Sequence, residues 1–418
     1  MSNKDHLKKT KSGVFWSFLN QGGNQILNLL ITFILARLVS PEEFGVIGMI
    51  TVFTGFAIRF VDFGFSAALI HKKEIDKKDI NTVFTLNTGI GIILSLLFFI
   101  IAPLIADFYD KPILTTLTRS FSIIFLVTGL SGVNRALLTK RMDFKLNTII
   151  SVISLIVSSG IAIVLAYLGY GVWSILFKIL SQEIINTILY FLLFPVKQKL
   201  EFSKKSFNSM FVMGRNVAGE STINYWSRNA DNLLIGRMIG SEALGLYSKA
   251  YSIMLLPLNN ISRVISKVMF PSFSLIQEDT KQIKNLYLKT TKLIAFITFP
   301  MMAGLAMLSE SFVLATFGKD WIEMAPLISI LSVLGAFQSI LSLNGVMYNS
   351  LGKSHLAFRL TVVFSIINVI GFYVGIKLNG LLGLAVTYTT IGIIGTIPNF
   401  YFAGRLINIS VIEMLKNL

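Results

Sequence analysis

The stretch Phe207 to Arg237 is long enough to cross a bilayer, yet it carries five charges. At about 100° per residue, Glu220, Asn224, Arg228 and Asp231 fall within an arc of roughly 80°, so one helix face is polar and zwitterionic while Arg215 and Arg237 lie off it. An ionisable group at the bilayer centre costs about 2.5–3.5 kcal/mol on insertion scales, so such a row persists where it lines a cavity or meets partners. A second row, Thr51, Gly55, Arg59, Asp62 and Ser66, also spans about 80°, with Arg59 and Asp62 at i and i+3 and able to pair. Arg263 shares a face with Ser252 and Asn259 in a later helix. Guanidinium groups match phosphate oxygens bidentately, so a cavity offering Arg59, Arg215, Arg228 and Arg263 favours an anion. Asp62, Glu220 and Asp231 are placed to neutralise those arginines at rest, or to exchange a proton or a sodium ion. Near the N-terminus, Asn20, Gln21, Asn24, Gln25 and Asn28 occupy roughly 140° of one helix. These amides and Asn224 suit sugar hydroxyls, and the N-terminal row suits interhelical hydrogen bonds equally well. Arg119, Arg135, Lys249 and Lys267 lie near helix ends, where long side chains snorkel to headgroups.

The elements that hold these residues are membrane helices. Of 418 residues 54% are hydrophobic and only 14% are charged, against a usual charged fraction of about 25%. Twelve spans are expected, at 13–36, 44–69, 82–107, 114–138, 146–167, 172–195, 207–236, 244–271, 289–316, 325–350, 356–378 and 381–404. Pro257 and Pro271 mark the eighth and its end, and Pro300 is expected to kink the ninth. With the N-terminus inside, twenty-three connector Lys and Arg residues fall on the cytosolic side and five on the other, so both termini are expected in the cytosol. The same bias accounts for the +16 net charge, and no nucleic-acid partner is expected.

Connectors this short leave no room for a soluble catalytic domain. There is no cysteine, and His6, His71 and His355 all fall in or beside connectors, so neither a metal site nor a bound cofactor is expected. LGKSH at Leu351 has the end of a phosphate-binding loop, but its preceding glycine, Gly345, is seven residues before Gly352 and no strand leads into it.

The chain repeats itself. At an offset of 200, ARLVSPEEFGVIG from Ala36 falls on GRMIGSEALGLYS from Gly236, and further along Asn134 meets Asn344 at an offset of 210. Six spans on each side preserve the starting orientation. The expected architecture is therefore all-α, with two six-helix bundles, 1–200 and 201–418, related by a pseudo-two-fold axis normal to the membrane. Substrate would bind between them, and the basic connector FPVKQKLEFSKKS, Phe194 to Ser206, would join them.

The amphipathic first helix FWSFLNQGGNQILNLLITFILARLVSPEEFGVIGM, the VDFGFSAALI continuation, GYGVWSI late in the first half and RNADNLLIGRMIGSEALGLYSKAY in the second form an ordered set. Over nearly the whole chain this set resembles the Wzx-type flippases, the polysaccharide transporter branch of the multidrug/oligosaccharidyl-lipid/polysaccharide (MOP, MATE-like) superfamily. The resemblance implies movement of an undecaprenyl-diphosphate-linked oligosaccharide across the bacterial cytoplasmic membrane by alternating access, for O-antigen, capsule or exopolysaccharide synthesis. It also implies cationic cavity residues for the diphosphate, for which Arg59, Arg215, Arg228 and Arg263 are the equivalents by placement. Coupling to a proton or sodium gradient and work beside a polymerase and chain-length machinery fit the same picture. Many relatives continue through two further helices, so a twelve-helix member and a shortened one are both open. The alternative within the fold is a proton- or sodium-coupled antiporter of drugs or organic cations, walled by Asp62, Glu220 and Asp231. A membrane polymerase or ligase ranks behind both.

Overall fold

The computed structural model describes the backbone from Asn3 to Leu418, and the side chains of Trp16 and of residues 21–418 apart from Glu220 and Ile223. Each expected span has a helical counterpart. The first eight helices are α1 (Asn3–Ala36), α2 (Pro41–Asp62), α3 (Phe65–His71), α4 (Lys77–Tyr109), α5 (Ile113–Phe121), α6 (Ile123–Lys140), α7 (Phe144–Tyr167) and α8 (Val172–Leu193). They are followed by α9 (Lys204–Met238), α10 (Ser241–Pro257), α11 (Arg263–Leu275), α12 (Thr280–Met307), α13 (Ser309–Thr316), α14 (Met324–Ser350), α15 (Ser354–Ile407) and α16 (Val411–Lys416). The expected spans 244–271 and 289–316 fall on α10–α11 and α12–α13, while pairs α2–α3 and α5–α6 each make one membrane-length stretch. α15 makes two, because Asn379 and Gly380 leave helical geometry, Gly380 with φ +53°. Its arms fold back antiparallel: Gly375 meets Gly383, and Gly395 meets Phe364. α12 continues as one helix through Pro300.

Eight of the described helical stretches are long and apolar enough to cross a membrane; α9 and the α10–α11 pair are not among them. α9 carries the five charges between Phe207 and Arg237. The chain is a multi-pass, all-α membrane protein.

Local rules set the helix ends. Ser40 caps α2, with its Oγ accepting from Glu43 N at 3.3 Å while Glu43 Oε2 accepts from Ser40 N at 3.0 Å, and Pro41 starts the helix. The other oxygen of Glu43 accepts from Val172 N at 3.1 Å, so one carboxylate serves the N-termini of both α2 and α8. α2 ends because Phe63 and Gly64 both take left-handed backbone, at φ 45° and 76°. The repeat breaks at a related place. α10 ends at Pro257 and a π-helical turn, Leu258–Ser262, separates it from α11. Buried Asn134 and Asn344 show the repeat most directly. Asn134 on α6 donates to Phe194 O, just past α8, at 2.9 Å, and Asn344 on α14 donates to Asn399 O in the last arm of α15 at 3.3 Å.

The helices divide into two compact units, Met1–Asn229 and Ala230–Leu418, the division falling inside α9. In the first unit α4 packs on α6, α7 on α8 and α1 on α7. The connector after α8 is bound to α4: Lys199 N donates to Asn81 Oδ1 at 3.1 Å, Glu201 N to Thr85 Oγ1 at 2.9 Å and Ser203 N to Thr82 Oγ1 at 3.0 Å. The start of α9 then buries Met210 in one apolar cluster with Phe65, Leu69, Val133 and Leu137. In the second unit α14 is central, packing against α10, α11, α12 and α15.

Candidate substrate-binding site

The α2–α9 pair in the first unit carries three of the four named arginines, Arg59, Arg215 and Arg228. Tyr225 on α9 is buried and its hydroxyl lies 2.7 Å from Val52 O and 3.0 Å from Thr51 O on α2. Gly55 makes the approach possible, since a Cβ there would stand 2.9 Å from the Tyr225 hydroxyl. Trp226 and Phe56, with ring centroids 5.2 Å apart, extend the contact. Over the Tyr225 ring lies the guanidinium of Arg59, 5.1 Å from the centroid. The aromatic face attracts that cation without consuming its N–H donors. Arg59 is exposed, so the donors stay available.

On α9, Arg228 and Asn224 are both exposed, and Arg228 Nε donates to Asn224 Oδ1 at 3.0 Å. One amide thus steers the guanidinium and leaves its two terminal nitrogens for a ligand. Arg215 is exposed three turns earlier on α9. Arg263 is exposed in the second unit, immediately after the π-helical turn.

The carboxylates differ in how fully they are engaged. Asp62 accepts from Ser66 N at 3.1 Å, from Ser66 Oγ at 2.5 Å and from Asn87 Nδ2 at 3.1 Å. It therefore binds the start of α3 and α4 in place of Arg59. The pairing open to the i, i+3 spacing does not form, because Ser66 and Asn87 take the Asp62 carboxylate. Asp231 is buried in the second unit, where it accepts from the Tyr247 hydroxyl at 2.9 Å and from Asn232 N at 2.8 Å. The side chains of Glu220 and Asn20 lie outside the described residues. Asn24 donates to Ser151 Oγ on α7 at 3.0 Å, and Asn28 donates to Asn24 O at 2.9 Å. The first bond ties α1 to α7, and the second lies within α1.

Other partners are not apparent from the sequence alone. Arg135 meets Glu183 at 3.3 Å across α6 and α8 and lies over the Tyr190 ring, instead of reaching for headgroups. Glu183 and Tyr190, at i and i+7 on one helix face, were the available signal. A basic surface steered by amides and aromatics, carried by α2 and α9, is suited to holding a phosphate-bearing anion.

The family model for polysaccharide biosynthesis proteins matches residues 34–326. This chain belongs to that family. Among its relatives, the teichuronic acid biosynthesis protein TuaB of Bacillus subtilis (strain 168) is 28% identical over 395 residues, covering 93% of this chain and 80% of TuaB. The lipopolysaccharide biosynthesis protein WzxC of Escherichia coli (strain K12) is 26% identical over 400 residues, covering 94% of this chain and 80% of WzxC. Among solved structures, the lipid II flippase MurJ in an inward closed conformation superposes with a TM-score of 0.76 at 19% identity, covering 97% of this chain and 89% of MurJ. An inward-facing MATE multidrug transporter of the MOP superfamily superposes with a TM-score of 0.72 at 15% identity, covering 91% and 94% of the two chains. Polysaccharide biosynthesis proteins of this kind thus share the MOP fold with both a flippase and a drug transporter.

Proposed function

We propose that this polysaccharide biosynthesis protein is a flippase that moves undecaprenyl-diphosphate-linked oligosaccharide units across the bacterial cytoplasmic membrane. The observation that carries the reading is the donor-rich presentation of Arg59 and Arg228, neither committed to a carboxylate among the described residues. A diphosphate needs such guanidinium forks, whereas an organic cation needs unpaired acids or open aromatic faces. Here Asp62 is engaged by Ser66 and Asn87, and the Tyr225 ring is covered by Arg59. The relatives' role in cell-surface polymers supports transport over enzymatic bond formation, and supports a polymerase and chain-length machinery as downstream partners. Arg215 and Arg263 are the further diphosphate candidates, and Asn224 the sugar-side candidate. The excess of cytosolic Lys and Arg supports both termini inside.

The sidedness of lipid-linked glycan in cells tests the function. Outside-only enzyme or lectin access should find glycan trapped inside without the gene and released when it is restored. Equal access in both strains, with no second transporter present, would favour the antiporter.

Coupling is assigned to Asp231. Its described partners are a hydroxyl and a backbone N–H, so it retains capacity for a proton or a sodium ion. Asp231→Asn keeps the acceptor for Tyr247 and should preserve folding while abolishing the response of transport to an imposed proton or sodium gradient. Gradient-dependent transport at the wild-type rate in this variant would remove Asp231 from coupling.

A further inference from the structure

A pocket of about 530 Å³ lies between α3 and the first half of α9, entirely within the first unit. That is the size range of pockets that hold drug-sized ligands, about 300–1,000 Å³. Its lining divides by chemistry, with His71, Lys72, Ser209 and Asn216 among the polar members and Met210 and Val217 among the apolar ones. Among the described residues, His71 and Asn216 have no hydrogen-bond partner, and both are exposed. Ser209 donates to Ser206 O at 2.8 Å, so its hydroxyl hydrogen is engaged within α9 and the open donors of the pocket are those of His71 and Asn216.

The local field favours an anion. The last carbonyls of a helix carry partial negative charge, but those of α3 are covered: Lys140 Nζ donates to Leu69 O and Ile70 O at 3.3 Å each, and to Lys72 O. Lys72 forms an ion pair with buried Asp79 at 2.6 Å, so that acid adds no free negative charge. Lys204 and Lys205 are exposed at the start of α9, Lys205 one turn before Ser209. The same ends of α3 and α9 adjoin connectors on the basic side of the membrane. From Asn216 a polar row runs along the α9 sequence through Glu220 and Asn224 to Arg228, about 18 Å at 1.5 Å per residue.

We infer that this pocket receives the diphosphate head and first isoprene units of the lipid-linked substrate at the cytosolic edge of the membrane, ahead of Arg59 and Arg228. His71 and Asn216, whose side chains are open, take the phosphates beside the exposed Lys204 and Lys205 at the start of α9, and the Met and Val side chains take the hydrocarbon. The assignment rests on the flippase reading for the identity of the amphiphile, and it adds a loading site distinct from the α2–α9 arginines.

The test is photo-crosslinking in the full chain with Val212→benzoylphenylalanine, an exposed lining position, and radiolabelled geranylgeranyl diphosphate as the probe. Crosslinking is expected, falling at least about fivefold when His71→Glu and Asn216→Asp place carboxylates in the pocket; that corresponds to roughly 1 kcal/mol. Unlabelled undecaprenyl diphosphate should compete, while phosphatidylglycerol and inorganic pyrophosphate at equal concentration should not. Undiminished crosslinking in the double variant overturns the site. Competition by phosphatidylglycerol would make it a bulk-lipid site, and competition by pyrophosphate a simple anion site; either result also overturns it. Absence of crosslinking in a chain that moves glycan in cells overturns the pocket and leaves the flippase reading standing. Crosslinking in a chain whose deletion leaves glycan sidedness unchanged keeps the pocket and removes the flippase reading.

Discussion

Arg228→Ala should lower outward movement of lipid-linked glycan by about two orders of magnitude while leaving the folded yield and melting temperature in detergent near wild type. Hydrogen bonds to charged groups contribute about 1.5–3 kcal/mol each, so a lost bidentate contact to phosphate amounts to about 3 kcal/mol, on the order of 100-fold. The fold loses little, because Arg228 is exposed and its described bond runs to Asn224, itself exposed on the same helix. Arg228→Lys retains the charge without the planar fork and should fall between the two. Arg59→Ala should lose transport comparably, and Arg59→Lys should recover part of it, because an ammonium can still sit over the Tyr225 ring. Glycan sidedness normalised to membrane expression gives the rates, and thermal unfolding of the purified variants separates ligand loss from fold loss. Wild-type transport in both alanine variants would remove these arginines as phosphate ligands. Transport lost only in proportion to melting temperature would make them packing residues.

The membrane architecture was legible because a bilayer imposes a length and a hydropathy on each crossing, and those appear in composition alone. The repeat was legible for a related reason: Asn134 and Asn344 recur because each ties a central helix to the end of its own half, and a buried amide needs that carbonyl. Side-chain pairing was harder to read. Arg59 and Asp62 have the spacing of an ion pair, yet the Phe63–Gly64 turn carries Ser66 back onto Asp62 and frees the arginine. The Phe-Gly dipeptide was visible, but its left-handed geometry is fixed by α9 packing across the break, a contact about 150 residues away along the chain. Arg135 and Glu183 show the same limit. Each looks ordinary on its own helix, and only the packing of α6 with α8 makes them a pair.

That packing across the break makes Gly64→Val the most damaging single change expected outside the arginines. Gly64 sits at φ +76°, where an L-residue costs about 1–2 kcal/mol and a β-branched one more. A Cβ there would stand 2.8 Å from Gly214 O and 3.0 Å from Gly214 Cα on α9, which are backbone atoms that cannot rotate away. Gly214 is constrained in return, its own Cβ position lying 2.8 Å from Phe63 O. Overpacking of this kind costs about 1–3 kcal/mol, a large fraction of a typical net stability of about 5–15 kcal/mol. Gly64→Val should therefore cut folded yield severalfold and depress the melting temperature, with Gly214→Ala intermediate. Gly219 on the same helix has open space around its Cβ position, so Gly219→Ala should be neutral or stabilising by up to about 1 kcal/mol. Opposite signs at Gly214 and Gly219 would locate the α3–α9 lock at the break. Equal, small effects at both would mean that α9 is held to the first unit mainly by Tyr225 and Trp226. The presentation of Arg59 would then depend on those two rings alone, and Tyr225→Ala would be expected to reproduce the Arg59→Ala transport defect.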